Sequence, residues 1–471
     1  MLLGPLTQHV KNIHLIGIGG SGMSGIAEIL VNLGFNVTGS DLRSTPVTKR
    51  LESIGAKVFT GHTRENVASC DAVVYSSAVK SDNPEVVAAR ERKIPVIGRP
   101  EMLAELMRMK YGICIAGTHG KTSTTSMVGT VLTKGNIDPT IIVGGRVTGF
   151  GGGAKIGQSH YLVLEADEYD RTFLKLTPVV AVVTNIDLEH LDCYQDMDDI
   201  SAAFLEFANK VPFYGSVILC IDDHGVQNII PDITRRMITY GVSRQAEIRA
   251  ENLRFHEMTS TFDVFEKETM LGTVTLEVPG VYNVRNALAT IAVGREMGVK
   301  FETIKSALAD YRTVERRFEV KGKECDVLVV DDFAHHPSEI IASLDGVHGG
   351  FDRRIVAVFQ PHLYSRTRDF CDDFGRAFIN SDVLVVTDVY PSREEPIDGV
   401  TGKLVSDAAQ AAGHRNVTYA EDRSSLIEVM KDIVREGDMV ITYGAGDVHK
   451  AGAELLIALK ENGCRNSNET R

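Results

Sequence analysis

No stretch of the 471-residue chain approaches the ~18–20 consecutive apolar residues that span a bilayer. The opening residues, 1–12, lack the apolar core and cleavage site of a secretory leader. Together these absences predict a cytoplasmic protein without membrane insertion. Cysteine is sparse: seven residues (Cys70, Cys114, Cys193, Cys220, Cys325, Cys371, Cys464), scattered and without a C-x-x-C pair. That excludes a disulfide framework or a zinc knuckle as the organising device and predicts reduced thiols. Internal repeats, low-complexity tracts and basic stretches interleaved with aromatics are also missing. A net charge of −13 argues against nucleic acid as a partner. An anionic substrate would have to be met by local basic groups and Mg²⁺. What is present is a globular composition, 43% hydrophobic and 24% charged, on a length that suggests about three domains.

The chain is organised around Gly117–Thr125, read Gly-Thr-His-Gly-Lys-Thr-Ser-Thr-Thr. An apolar run, Ile113–Ala116, leads in, and a helix-like stretch, Ser123–Thr133, leads out. Strand, glycine turn, Lys-Thr and helix make a phosphate cradle. Backbone N–H groups and the helix N-terminus attract anions, Lys121 adds a point charge, and Thr122 can ligate Mg²⁺. The turn, G-x-x-G-K-T, is two residues shorter than the usual G-x-x-x-x-G-K-[ST].

Upstream, strand Ile13–Ile16 runs into Gly17, Gly19 and Gly22 at G-x-G-x-x-G spacing. Asp41 follows at the distance where an acid meets a ribose. Short strands at Lys57–Phe59, Ala72–Tyr75 and Pro95–Ile97 alternate with helical stretches, so this segment reads as a doubly wound parallel sheet. Its glycine turn suits NAD or FAD, another nucleotide, or a purely structural role. Two further apolar strands end in chemistry. Tyr161–Leu164 leads into Glu165-Ala166-Asp167-Glu168, and Val179–Val183 into a run from Thr184 to Asp192 that holds Glu189 and His190. Acids and a histidine beyond strand ends on the same sheet as Lys121 predict a metal site.

From Glu247 to Val278 the period changes. Thr259–Phe265 and Thr273–Val278 alternate, predicting an antiparallel hairpin inserted in the α/β domain. Asn283 and Asn286 then lie on one face of a helix's first turn, either as caps or as contacts to a nucleotide. Strands Val327–Val330, Ile355–Phe359, Val383–Thr387 and Met439–Thr442 make a second doubly wound unit. Their ends carry His335-His336, His362 and Arg366. Neighbours leaving a strand diverge, so a His335–His336 metal pair is not expected.

The chain resembles the Mur ligases along nearly its whole length. The resemblance rests on Gly17–Gly25, Gly117–Thr125, Glu165–Asp170, Thr184–His190, Asn283–Ala287, Glu315–Phe318, Asp331–Pro337 and Gln360–Arg366. It implies an α/β fold of three domains. These are a Rossmann-like UDP-substrate domain (1–108), a central P-loop ATPase-like domain with a small antiparallel insertion (109–316), and a Rossmann-like amino-acid domain (317–471). It implies ATP-dependent joining of L-alanine to the carboxylate of UDP-N-acetylmuramate through an acyl phosphate. The alternative is addition of a preformed murein tripeptide in cell-wall recycling. The resemblance assigns Lys121, Glu165 and His190 to catalysis and Thr122, Glu165 and His190 to metal. ATP falls to Gly117–Ser123, Asn283, Asn286, Arg317 and Asp332. Gly17, Gly19, Gly22, Asp41, Ser76 and Ser77 go to UDP, which takes the place of NAD at the first turn. His335, His362 and Arg366 go to the amino acid, with Phe333 lining its side-chain pocket. Tyr282 stands where many members of the family have His, and Phe333 where some have Tyr. A monomer or homodimer is expected.

Overall fold

The computed structural model describes residues 10–76, 78–147, 152–191, 193–392 and 394–462. Two compact units are present. The first is Met1–Asn252 with Phe262–Thr275 and Arg285–Tyr311; the second is Leu253–Thr261 with Leu276–Val284 and Arg312–Arg471.

The first unit opens on a parallel sheet of β1 (Asn12–Ile16), β2 (Asn36–Asp41), β3 (Lys57–Thr60), β4 (Ala72–Tyr75) and β5 (Val96–Gly98), in the order β3-β2-β1-β4-β5. This is the doubly wound arrangement the alternation predicts. The glycine turn leaves β1 at its centre, where connections to either side diverge and open a crevice.

The helix Arg99–Arg108 leads on to the second sheet. Its Met102, Leu103, Leu106 and Met107 belong to one continuous core with Ile13 and Leu15 of the first sheet and Leu162 and Leu164 of the second. That sheet contains β6 (Tyr111–Ala116), β7 (Thr140–Val147), β8 (Gly152–Lys155), β9 (Tyr161–Glu165), β10 (Val180–Val183), β11 (Ser216–Cys220), β12 (Met237–Gly241), β13 (Ile248–His256), β14 (Thr259–Glu266) and β15 (Thr269–Leu276). Its order is β15-β14-β13-β12-β11-β10-β6-β9-β7-β8. β6 pairs in parallel with both β9 and β10, so the two acid-bearing strand ends flank the Lys121 loop. The predicted hairpin is a correction in size: three strands, not two, extend the sheet. β13 was missed because its first half, Ile248-Arg249-Ala250, is buried throughout and alternates only afterwards. It pairs in parallel with β12.

The second unit carries β16 (Glu319–Glu324), β17 (Val327–Asp332), β18 (Ile355–Phe359), β19 (Val383–Thr387), β20 (Val417–Ala420) and β21 (Met439–Tyr443), ordered β16-β17-β21-β18-β19-β20. Only the edge strand β16 is antiparallel. The inner strands read as unbroken apolar runs because both faces are covered. Ala357, Phe359 and Leu384 face one core, and Val356, Val358 and Val383 the other.

Candidate active site

At the end of β6 the chain must turn sharply, and glycine permits it. Gly117 has φ 139° and Gly120 φ 81°, and a side-chain carbon on Gly117 would lie 1.9 Å from Thr184 Oγ1. The helix Lys121–Lys134 starts directly after. It has no side-chain cap and no acid in its first turn, where Thr122 and Ser123 lie, so its amide end is electropositive. The end of β10 holds the loop from below. His119 N–H donates to Asn185 Oδ1 (2.7 Å), while Thr184 Oγ1 (2.6 Å) and Asn185 Nδ2 (3.0 Å) donate to the His119 carbonyl. Thr118 N–H donates to the Asn185 carbonyl at 3.1 Å. Asn286 packs against the loop as well: its Oδ1 accepts from Thr124 Oγ1 at 3.1 Å and sits 2.7 Å from where a Gly120 side chain would begin. Asn286 therefore supports the loop rather than capping its own helix.

Lys121 Nζ curls back over the turn, donating to the carbonyls of Gly117 (2.6 Å) and Thr118 (2.9 Å) and to Glu168 Oε1 (2.9 Å). Burial works against its charge, but the Glu168, Asp167 and Glu165 carboxylates hold it above the ordinary lysine value. Thr122 Oγ1 lies 3.1 and 3.0 Å from the two oxygens of Glu165, whose Oε2 also accepts from Gly144 N–H at 2.8 Å. His190 does not join that pair directly. Its Nε2 lies 3.4 Å from Glu168 Oε1, and Glu168, Glu189 and His190 offer ligand atoms within 4.8 Å of one another. Burial opposes the His190 charge, while Glu168 and Glu189 favour it more strongly and raise its pKa.

Glu168 and Glu189 belong to the two acid runs that predict a metal site, but neither is given a role of its own by the sequence. Glu168 is 1% exposed and touches both Lys121 and His190. Its signal was visible as the third acid of the Glu-Ala-Asp-Glu run. What directs it inward is tertiary: Tyr194 Oη donates to its carbonyl at 2.7 Å, and the chain then kinks at Asp170 and Arg171, both with φ 54°.

The first glycine turn is built differently. Gly17 and Ile18 N–H donate to the Ser40 carbonyl (2.8 and 3.1 Å), and Gly19 N–H donates to Asp41 Oδ2 (2.9 Å). Ser76 Oγ stands 3.1 Å from where a Gly17 side chain would start, and Arg99 lies against Gly22 in the same way. Ser77 lies outside the described residues.

In the second unit, β17 ends at Asp332, which is 6% exposed. Burial pushes its carboxyl up to about 6, although Ser343 Oγ (2.8 Å), the Arg317 charge and Ala334 N–H (3.1 Å) all favour the ionised form. Phe333 lies beneath the guanidinium groups of Arg316 and Arg317, 5.0 and 5.1 Å from its centroid. Arg317 also pairs with Glu339 at 3.3 Å. Asn283 is tied locally, its amide donating to the Pro279 carbonyl at 2.7 Å. Tyr282 is partly buried, and desolvation and the Asp332 charge raise its pKa far above the usual phenol value. The three residues expected at an amino acid come together: His335 and His362 rings are 5.9 Å apart, and Arg366 Nη1 is 3.5 Å from His362 Nδ1. Tyr390 stacks on His362 at 6.0 Å. His336 diverges from its neighbour and caps the helix Pro337–Gly350 by accepting from Ser338 N–H.

Three family models match consecutive stretches of the chain: "Mur ligase family, catalytic domain" over residues 12–111, "Mur ligase middle domain" over 115–294, and "Mur ligase, glutamate ligase domain" over 316–446. A UDP-N-acetylmuramate–L-alanine ligase of Geotalea uraniireducens is 53% identical over 451 residues, covering 96% of this chain and 98% of that one. A protein of the same name from Salinibacter ruber is 53% identical over 460 residues, 97% of each chain. The crystal structure of a UDP-N-acetylmuramate–alanine ligase from Thermotoga maritima is similar with a TM-score of 0.79 at 28% identity, covering 96% of this chain and 100% of that one. Matched in this way over nearly its whole length, the chain belongs to the Mur ligase family.

Proposed function

We propose that this protein is an ATP-dependent ligase that joins L-alanine to the carboxylate of UDP-N-acetylmuramate in peptidoglycan precursor synthesis. The observation that carries the reading is the Lys121 loop, with Thr122 on Glu165 and Lys121 on Glu168, in a chain 53% identical over nearly its whole length to ligases of that name. The same relatives favour this reading over tripeptide recycling. Segments 1–108, 109–316 and 317–471 take the UDP-sugar, ATP and the amino acid respectively.

The chemistry follows from the substrates. A carboxylate oxygen does not leave readily, so the acid is first phosphorylated. Its oxygen attacks the γ-phosphorus of ATP and ADP departs. The amine of alanine then adds to the acyl phosphate, and the tetrahedral intermediate expels phosphate. An anion attacks an anion in the first step, so neutralising charge is the main demand. Lys121 leaves its own turn for the β- and γ-phosphates, while the loop amides from Gly117 to Ser123 cradle them. Hard oxygen donors at Thr122 and Glu165, with His190 beside Glu168, suit Mg²⁺. When bound, Mg²⁺ supplies further neutralisation of the phosphate oxygens. Asn283, Asn286, Arg317 and Asp332 serve the nucleotide, Asp332 at the ribose. Arg366 grips the alanine carboxylate, with His335 and His362 around it and Phe333 lining the small pocket. Gly17, Gly19, Gly22, Asp41, Ser76 and Ser77 hold UDP.

No helix among the described residues is long and apolar enough to cross a membrane. The cytoplasm, where ATP and UDP-sugars are found, is the compartment the reaction requires. The test is ADP release with UDP-N-acetylmuramate and a panel of amino acids and the tripeptide. L-alanine should give the highest kcat/KM, and preferred turnover of the tripeptide would overturn the assignment.

A further inference from the structure

Behind the first sheet lies a polar cluster that the chemistry above does not use. Glu85 is 0% exposed, in the first turn of the helix Pro84–Glu91. Its carboxylate accepts from Ser40 Oγ at 2.6 Å and from Asn66 Nδ2 at 2.6 Å; His62 Nδ1 lies at 3.2 Å and His14 Nε2 at 3.6 Å. Burial disfavours its charge, yet the groups from His14, Ser40 and Asn66 hold its carboxyl below the ordinary glutamate value. A buried carboxylate is expensive to desolvate, and an apolar side chain would pack the site at lower cost. The cluster sits on Ser40, and Ser40 is the residue whose carbonyl receives the N–H groups of both Gly17 and Ile18. The next residue, Asp41, receives Gly19 N–H. The end of β2 is thus gripped on one side by Glu85 and on the other grips the glycine turn.

We infer that Glu85 is a positioning residue for the UDP-sugar: through the Ser40 hydroxyl it fixes the end of β2, and through that strand end the height and tilt of the Gly17–Gly19 turn. Glu85 touches no substrate. The inference rests on the reading of that turn as the UDP site. The Ser40→Ala variant removes only the connecting hydroxyl, and Glu85→Gln keeps the side chain's shape. In both, KM for UDP-N-acetylmuramate should rise about tenfold, with kcat and the KM values for ATP and L-alanine within about twofold of the parent. Calorimetric titration of the full-length protein with UDP-N-acetylmuramate should show the same weakening. Unchanged affinity in both variants would overturn the inference, as would an equal loss for all three substrates accompanied by a lower melting temperature, which marks a merely structural role. Gly19→Val separates the two levels, since its side chain would meet Asp41 Oδ2 at 2.8 Å. If Gly19→Val binds the UDP-sugar as the parent does, the UDP reading itself fails. If only Gly19→Val loses binding, the role of Glu85 fails while the reading stands.

Discussion

Two glycine turns leave parallel strands of two sheets in the same unit, and they are built by different means. The first, after β1, carries no lysine. Its amides are spent on the end of β2, and an acid, Asp41, sits on Gly19. The second, after β6, carries Lys121 and opens onto a run of acids from two neighbouring strands. Shape dominates the first and charge the second. That division suits a substrate whose diphosphate is only carried and a nucleotide whose phosphoryl group is transferred. A transferred group needs a mobile cation and counter-ions close by; a carried one needs a rigid seat.

Variants in the two turns should therefore fail differently. Lys121→Ala should lower turnover by at least about a thousandfold while leaving UDP-N-acetylmuramate affinity within about twofold, read by ADP release and calorimetry. Joint loss would show the two sites to be misassigned. Glu165→Gln, which keeps the hydrogen bond from Thr122 but removes a charge, should cost about a hundredfold in kcat and raise the Mg²⁺ concentration needed for half-activity. Gly19→Val should reverse the pattern, weakening the UDP-sugar about tenfold or more with ATP affinity retained.

Smaller effects are expected in the second unit. Arg366→Lys keeps the charge but loses the planar fork, and KM for L-alanine should rise about tenfold with the ATP KM unchanged. Asp332 gives the smallest effect and a pH signature. Its folded-state pKa of about 6 lies above that of a free carboxyl, so the folded chain holds the proton more firmly. The stability this group contributes is present at low pH and declines as pH rises from about 4 through 6. Asp332→Asn should flatten that decline, so its melting temperature relative to the parent should climb by a few degrees between pH 4 and pH 7, roughly as expected for a modest change in a large domain. A constant difference across that range would show that Asp332 is not held with a raised pKa.

The parts legible in the sequence are those where local chemistry leaves little choice. Gly117 and Gly120 mark a turn because their backbone angles exclude most other residues, and the strands β4, β18 and β19 are found at the expected residues because buried parallel strands are apolar throughout. The parts missed depend on long-range contact. β16 is a polar edge strand whose strand partner among the described residues is β17, and its sequence carries no apolar period. Glu168 is buried while the neighbouring Asp167 is half-exposed, and nothing local says which acid of the run turns inward. Asn286 looks like a cap by spacing, and only the packing of its helix against the loop at Gly120 shows otherwise. Ser40 and Glu85 are 45 residues apart, and no local rule connects them.

The acyl-phosphate route leaves an isotopic trace. With ¹⁸O in the muramate carboxylate, ATP, Mg²⁺ and L-alanine, the phosphate released should carry one ¹⁸O for each amide formed, because the oxygen that attacked phosphorus departs with it. Phosphate free of ¹⁸O in a reaction that still forms the amide would contradict transfer of the phosphoryl group to the sugar acid.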